Sequence, residues 1–112
     1  MTATTAPEAS TCRARVVIPV PDVTSAVAAA ALLADPTRAS ILRMLADGAY
    51  CVCEMAAALG IGESNLSNHL ARLRHAGLVR ATRNEANLRF TYYERDEAAM
   101  ASFRGALVDV LR

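Results

Sequence analysis

The stretch CVCEMAAALGIGESNLSNHLARLRHAGLV, residues 51–79, decides the fold of this 112-residue chain. It predicts a short helix over Val52–Leu59 that ends at Gly60, a tight turn, and a second helix over Glu63–His75. The second helix has one apolar face, because its leucines are spaced four and three residues apart: Leu66, Leu70 and Leu73. Two short helices joined through glycine indicate a helix-turn-helix.

Two further helices are predicted before this stretch. The first covers residues 22–34, is capped by Asp22 and carries a face of small residues that permits close helix packing: Val23, Val27, Ala30, Ala31 and Ala34. The second begins at Asp35-Pro36, where the acid caps the helix and the proline stands in its first turn. Its buried stripe is Ile41, Leu42 and Leu45, and Gly48 ends it.

Two strands and a last helix are predicted after the helix-turn-helix. The strands cover residues 78–82 and 88–93, with a polar turn over 83–87, and such a hairpin is a wing. The last helix runs from residue 96 or 97 to 112, with an apolar stripe of Met100, Phe103, Leu107 and Val110 or Leu111. The fold class is therefore mainly α with a β-hairpin wing, a winged helix-turn-helix. The first and last helices would expose apolar surface in a monomer, which predicts a homodimer.

The domain organisation is simple. Residues 1–21 are interpreted as a flexible N-terminal arm that carries Cys12, and residues 22–112 as the winged helix-turn-helix domain for DNA binding and dimerisation. The start of the chain has no basic segment followed by an apolar core, so no signal peptide is expected. The longest apolar run, residues 26–34, is too short to span a bilayer. We expect a cytoplasmic protein without a membrane partner.

Polar side chains opposite the leucines predict a DNA-binding face. Small groups that can reach base edges or phosphates are Ser64, Asn65, Ser67 and Asn68, and asparagine can pair with adenine. The phosphate candidates are Arg72, Arg74, Arg83 and Arg89. The net charge is only +1, but residues 63–95 contain six arginines against three glutamates. The alternative interpretation is a solvated helix face beside a surface hairpin.

Cys51 and Cys53 form the candidate sensing site. On a regular helix their side chains would lie about 200° apart, so the thiols converge only if Cys51 is at or before the helix N-terminus. There the helix dipole and free N–H groups would favour the thiolate. Soft thiolates suit thiophilic metals, whereas a Cys-x-Cys disulfide would be strained. The alternative is two buried structural cysteines.

Several segments together resemble the ArsR/SmtB family of bacterial metal-sensing repressors. They are LLADPTR (residues 32–38), Ile41-Leu42, CVCEM (51–55) and SNLSNHLARLRHAGLV (64–79), and the resemblance covers about residues 25–112. It implies a homodimer that binds double-stranded operator DNA, represses a resistance or efflux operon, and is released by metal. The family often has Ser-Gln where this chain has Gly62-Glu63. An acid near DNA is repulsive, so this first turn is not expected to touch phosphate.

The resemblance also implies where the metal binds. It puts the site at Cys-Val-Cys, and in the cadmium/lead-sensing branch a cysteine from the partner's N-terminal arm completes it. Cys12 is the thiol available for this role, so Cys12, Cys51 and Cys53 are expected to bind Cd(II), Pb(II) or As(III). Cd(II) usually takes a fourth ligand, which water or Glu54 would supply. His69 corresponds to the family's recognition-helix histidine and is expected to be structural or to contact DNA, as is His75.

These observations predict a metal-responsive transcriptional repressor without an organic cofactor. The alternative is a winged-helix regulator that senses oxidants or persulfide through its thiols. An enzyme is not expected, because no nucleophile and base stand at a recognisable spacing. His69 and His75 belong to the DNA-binding half.

Overall fold

The computed structural model describes residues 17–83 and 90–112. Its elements, in chain order, are α1 (Thr24–Leu33), α2 (Pro36–Leu45), β1 (Tyr50–Cys51), α3 (Val52–Leu59), α4 (Glu63–His75), β2 (Val79–Arg83), β3 (Thr91–Arg95) and α5 (Glu97–Leu111). The predicted fold class is confirmed: the chain is mainly helical, and a small antiparallel sheet includes a hairpin, β2–β3, that follows a helix-turn-helix. No helix among these residues is both long and apolar enough to cross a membrane.

The helix-turn-helix has the predicted bounds at all four ends. Gly60 ends α3 in the left-handed region, with φ 67°, and its N–H donates to the carbonyl of Ala56. Leu66, Leu70 and Leu73 are buried on one face of α4. They join α2, α3 and α5 in one core, whose buried members are Ile41, Leu42, Leu45, Met55, Ala56, Leu66, Leu70, Leu73, Leu78, Val79 and Met100.

The first helix differs from its prediction in its start and in the face it buries. It begins at Thr24, two residues later than expected, although the Asp22 side chain still accepts the Thr24 N–H at 3.0 Å. Ala26 and Ala29 are its buried residues, and α1 packs against α5. Val27, on the predicted packing face, is 60% exposed. That face is therefore not used within this chain and forms part of its exposed apolar surface.

The second helix starts as predicted and ends early. Asp35 caps it by accepting the backbone N–H groups of Thr37 at 2.8 Å and Arg38 at 3.1 Å. These hydrogen bonds hold the pKa of Asp35 below its ordinary value, and the bond from the Arg38 N–H has the larger effect. The helix stops at Leu45, and Gly48 lies beyond it in the connection to β1 with φ 148°.

The sheet has three strands where the sequence predicted two. Its order is β1-β3-β2, and both pairings are antiparallel. The first wing strand is shifted by one residue, so Arg83 belongs to β2 rather than to the turn. The second begins at Thr91 instead of residue 88. The rest of the predicted turn, residues 84–87, and the predicted start of the second strand, residues 88 and 89 with Arg89, lie outside the described residues.

Candidate metal site and nucleic-acid interface

The two thiols converge at the start of α3. Cys51 is the last residue of β1 and the N-cap of α3, in extended conformation, while Cys53 stands in the first turn of the helix. Their sulfur atoms are 2.9 Å apart. The expected condition for convergence, Cys51 at the helix N-terminus, is therefore met. Both cysteines are free thiols, and a disulfide would need about 2.05 Å between the sulfurs.

Glu54 ties the first thiol into a capping box. Its Oε1 accepts the backbone N–H of Cys51 at 2.9 Å, and its own backbone N–H donates to the Cys51 sulfur. Glu54 was suggested above as a fourth metal ligand, and its Oε1 already accepts this hydrogen bond. The hydrogen bond from the Glu54 N–H to the sulfur favours the Cys51 thiolate, as expected, but it is not the main influence on the pKa of this thiol.

Burial is the stronger influence on Cys51, which is 4% exposed. Removal from water raises the pKa of its thiol, and the hydrogen bond with the Cys53 thiol raises it further. At Cys51 these two influences outweigh the expected stabilisation of the thiolate by the helix N-terminus, so the pKa of the thiol lies above its ordinary value. The sheet explains the difference, because pairing of Cys51 with Tyr92 of β3 covers the residue.

The thiol pair lines a cleft of about 420 Å³ that reaches the second helix of the helix-turn-helix. Cys53 is exposed. The cleft is bounded by Cys51, Val52, Cys53, Glu63, Ser67, Phe90 and Thr91. Glu63 and Ser67 belong to the first turns of α4, so the candidate sensing site adjoins the candidate DNA-binding helix directly. The sequence did not indicate this proximity.

The donors at this site fit a thiophilic metal ion but do not complete its coordination. Two soft sulfurs lie close enough to contact one ion. Residues 17–83 and 90–112 contain no group of three His, Cys, Asp or Glu side chains able to hold a metal. The third predicted ligand, Cys12, lies outside these residues. A three-sulfur site would therefore take its third ligand from the N-terminal segment.

Apart from His69, the predicted DNA-contacting residues of α4 form an exposed face opposite its leucines. This face contains Ser64, Asn65, Ser67, Asn68, Arg72 and Arg74. Gly62 is the N-cap and offers no side-chain hydrogen bond, and Glu63 follows it in the first turn. Arg83 is exposed on β2. These placements bring four polar side chains and three arginines onto the helix and the wing.

Two other arginines of this region are held by carboxylates. Arg80 Nε donates to Glu94 at 2.9 Å across the hairpin. Arg95 donates to both oxygens of Glu97 at 2.8 Å and to the carbonyl of Leu42 at 3.2 Å. Among the described residues of this region, Arg72 and Arg74 of α4 and Arg83 of β2 are exposed and contribute positive charge.

His69 faces into the molecule. Its side chain is 17% exposed, with Nδ1 3.4 Å from Arg38 Nη1 and 3.9 Å from the Asp35 carboxylate. The structure thus places His69 apart from the exposed face, whereas His75 is exposed near the end of α4. Arg38 was not among the predicted site residues; its only signal was its place in the Asp-Pro-Thr-Arg segment.

A recognition-type helix exposed beside a three-stranded wing defines a winged helix-turn-helix regulator domain. Residues 35–81 match the model of the bacterial regulatory proteins of the arsR family. These residues form an arsR-family helix-turn-helix domain, and the resemblance inferred from the sequence is confirmed. Family and fold are those of transcriptional regulators.

A named relative supports this assignment. The HTH-type transcriptional regulator CmtR of Mycobacterium tuberculosis is 44% identical over 79 residues, which is 70% of this chain and 64% of that protein. The chain thus spans less than two thirds of that relative's length.

Two solved structures have the same fold. The crystal structure of a possible transcriptional regulator for arsenical resistance shares 34% identity at a TM-score of 0.65, covering 74% of this chain and 82% of that one. Reduced HlyU of Vibrio cholerae shares 30% identity at a TM-score of 0.61, covering 72% and 83%.

Proposed function

We propose that this protein is a metal-responsive transcriptional repressor of the bacterial cytoplasm. In this proposal it binds operator DNA as a homodimer and leaves it when Cd(II), Pb(II) or As(III) binds Cys12, Cys51 and Cys53. The observation that carries the proposal is the 2.9 Å approach of the Cys51 and Cys53 sulfurs in a cleft shared with α4. The chain's similarity to the arsenical resistance operon repressor of Escherichia coli and to a possible transcriptional regulator for arsenical resistance supports the choice of effector class.

The chain's own residues have distinct roles in this proposal. The ion supplies a positive charge that replaces the two thiol protons. Cys51 is fixed by β1 and by the Glu54 cap, so it gives the site a rigid anchor. Cys53 is exposed and receives the ion from solvent. Cys12 would complete the set from the arm, in its own subunit or across the dimer.

DNA binding is assigned to the exposed face of α4 and to the wing. Ser64, Asn65, Ser67 and Asn68 would meet base edges or phosphates in the major groove, and Arg72, Arg74, Arg83 and Arg89 would meet phosphates. Each phosphate neutralised makes the affinity more dependent on salt. Glu63 is acidic, so in the first turn of α4 Ser64 and Asn65 are expected to meet base edges and not phosphates, as the sequence suggested.

Release follows from linkage between the two sites. Metal must favour a protein geometry that binds DNA less well, by a coupling free energy of about 1–3 kcal/mol to be useful. The cleft supports direct coupling of the metal site to the DNA-binding helix, because an ion held by Cys51 and Cys53 would lie against the turns of α4 that carry Glu63 and Ser67. A second route runs through the arm and the dimer.

The test is fluorescence anisotropy of the reduced protein on DNA from its own promoter, at a fixed salt concentration. We expect Cd(II), Pb(II) or As(III) to release the DNA and Zn(II) to do so weakly. Cys51→Ser should abolish release while leaving DNA binding intact. Cys12→Ser should weaken release if Cys12 is the third ligand. Tight binding unmoved by all four ions would refute metal sensing.

The alternative, an oxidant or persulfide sensor, is favoured by the same pair of adjacent thiols. Oxidation would join Cys51 and Cys53 by a disulfide, with two protons and two electrons passing to a peroxide or persulfide. Mass spectrometry after mild oxidation should then find one defined disulfide and loss of DNA binding. Oxidation to a mixture of products would count against this alternative.

A further inference from the structure

The guanidinium of Arg38 lies where three helices meet. Arg38 is in the first turns of α2, and its Nε donates to the carbonyl of Leu32 at 2.7 Å. Its Nη2 donates to the carbonyl of Ala31 at 3.3 Å. Its Nη1 lies 3.4 Å from Nδ1 of His69 in α4. One side chain therefore contacts the last turn of α1 and the middle of α4.

The contact with α1 meets a need that the helix end meets only in part, since the Ala34 N–H donates to the carbonyl of Ala31 at 3.2 Å. The last carbonyl groups of a helix have no partners within it, and together they carry a partial negative charge. The last turn of α1 has no basic residue. Arg38 supplies two N–H donors and a positive charge from another helix. Because the guanidinium is a planar fork, these bonds fix the orientation of α1 as well as its distance.

Asp35 lies beside both partners of this junction. Its Oδ1 accepts the backbone N–H of Arg38 at 3.1 Å and lies 3.9 Å from Nδ1 of His69. Since His69 is mostly buried, it marks the side of α4 that is fixed to the body of the domain. Asn65 and Arg72 lie one turn before and after it, on the exposed face. A displacement at His69 would move both.

We propose that Arg38 and His69 are positioning residues that set α4 relative to α1 and transmit changes between them. The proposal rests on the DNA-binding function proposed above and adds a pathway to it. Helix α1 packs on α5, and both expose apolar residues, among them Val27 and Val108. If two copies rearrange across that surface, α1 moves, and the contacts of Arg38 with α1 and His69 pass this movement to the DNA-binding face of α4.

Arg38→Met is the test variant, and Arg43→Met is its matched control. Arg43 lies in the same helix with its side chain 76% exposed, beside Asp47 at 3.5 Å. DNA affinity is measured by anisotropy with and without Cd(II), and Cd(II) affinity by thiolate-to-metal absorbance without DNA. Arg38→Met should weaken DNA binding roughly tenfold, as for lost hydrogen bonds to a charged group. It should shrink the Cd(II)-induced change in DNA affinity and leave Cd(II) affinity unchanged.

His69 provides the rescue experiment. His69→Leu should reproduce the Arg38→Met result, whereas His69→Asn should keep most of the coupling, because its side-chain oxygen can accept from Arg38 as Nδ1 does. If Arg38 and His69 only stabilised the fold, their substitution would lower DNA affinity in proportion to the loss of unfolding free energy. It would leave the ratio of affinities with and without Cd(II) as in the wild type, and that result would overturn the proposal.

A measurement without DNA separates this proposal from the function on which it rests. Hydrogen exchange should become faster in the last turn of α1 and around His69 in Arg38→Met, but not in Arg43→Met. If the wild type fails to bind DNA, the proposed function is wrong, and the exchange result still decides whether Arg38 couples the two helices. Equal hydrogen-exchange rates at these positions in Arg38→Met and Arg43→Met would refute the proposal that Arg38 couples α1 to α4.

Discussion

Cys51 combines two structural duties at the residue scale, since it ends β1 and caps α3. Its position could be predicted from the sequence, because only a residue at the helix N-terminus allows Cys-x-Cys sulfurs to meet. Its pKa could not. The burial that raises the pKa comes from pairing with β3, about 40 residues away in the sequence.

The capping role predicts how substitutions of Cys51 affect stability. Serine is a preferred N-cap, and its hydroxyl can accept the Glu54 N–H that the sulfur accepts now. We expect Cys51→Ser to unfold at nearly the wild-type denaturant midpoint, whereas Cys51→Val should lose about 1 kcal/mol with the cap. Urea unfolding followed by circular dichroism measures both. Equal losses in the two variants would show that the thiol contributes packing rather than a cap.

Helix α4 shows at the element scale how local sequence determines an element and its faces. Its predicted and observed bounds agree because Gly60 ends the preceding helix, Gly62 is the N-cap, and the leucines repeat with helical spacing. The strands were predicted less well. A two-residue strand such as β1 has no periodicity of its own and is defined by pairing with β3.

The two faces of α4 should respond differently to truncation. Leu70→Ala removes a side chain that is only 1% exposed and should cost about 2–5 kcal/mol of unfolding free energy. Asn68→Ala, on the exposed face, should change stability by less than about 0.5 kcal/mol and weaken DNA binding instead. Chemical denaturation and anisotropy on the same samples compare them. A large stability loss in Asn68→Ala would contradict the assignment of faces.

The Arg95–Glu97 pair joins the end of β3 to the start of α5 and predicts a pH dependence. Hydrogen bonds from Arg95 lower the pKa of Glu97 from its ordinary 4.5. The unfolded chain therefore takes up the proton first as pH falls. The stability from this pair is complete above the unfolded pKa and is lost as pH drops through the lower, folded value.

Glu97→Gln should accordingly destabilise the protein at neutral pH and flatten the loss of stability below about pH 5. Melting temperatures measured across that range detect both effects. In an Arg95→Met background, where the partner is gone, the same substitution should change the pH profile much less. If it changes the profile equally in both backgrounds, Arg95 is not the cause of the lowered pKa.

The exposed surface of α1 and α5 is the main feature at the scale of the whole molecule. The sequence predicted apolar surface there that a monomer would expose, and the structure buries only Ala26 and Ala29 of α1 in this chain. Large apolar residues remain exposed on or beside the two helices: Val23, Val27, Val108, Val110 and Leu111. A small domain with this much apolar surface gains stability by covering it with a second copy.

We therefore expect sedimentation equilibrium to give twice the chain mass of 11.9 kDa. Val27→Asp would bury a charge in that interface and should shift the protein to monomer. It should also weaken DNA binding, because two linked half-sites bind more tightly than one. Ala57→Asp, on the exposed side of α3, is the control and should remain a dimer. A monomeric wild type that still binds DNA tightly would rule out dimerisation as the basis of operator recognition, and release would then have to act through the cleft beside α4.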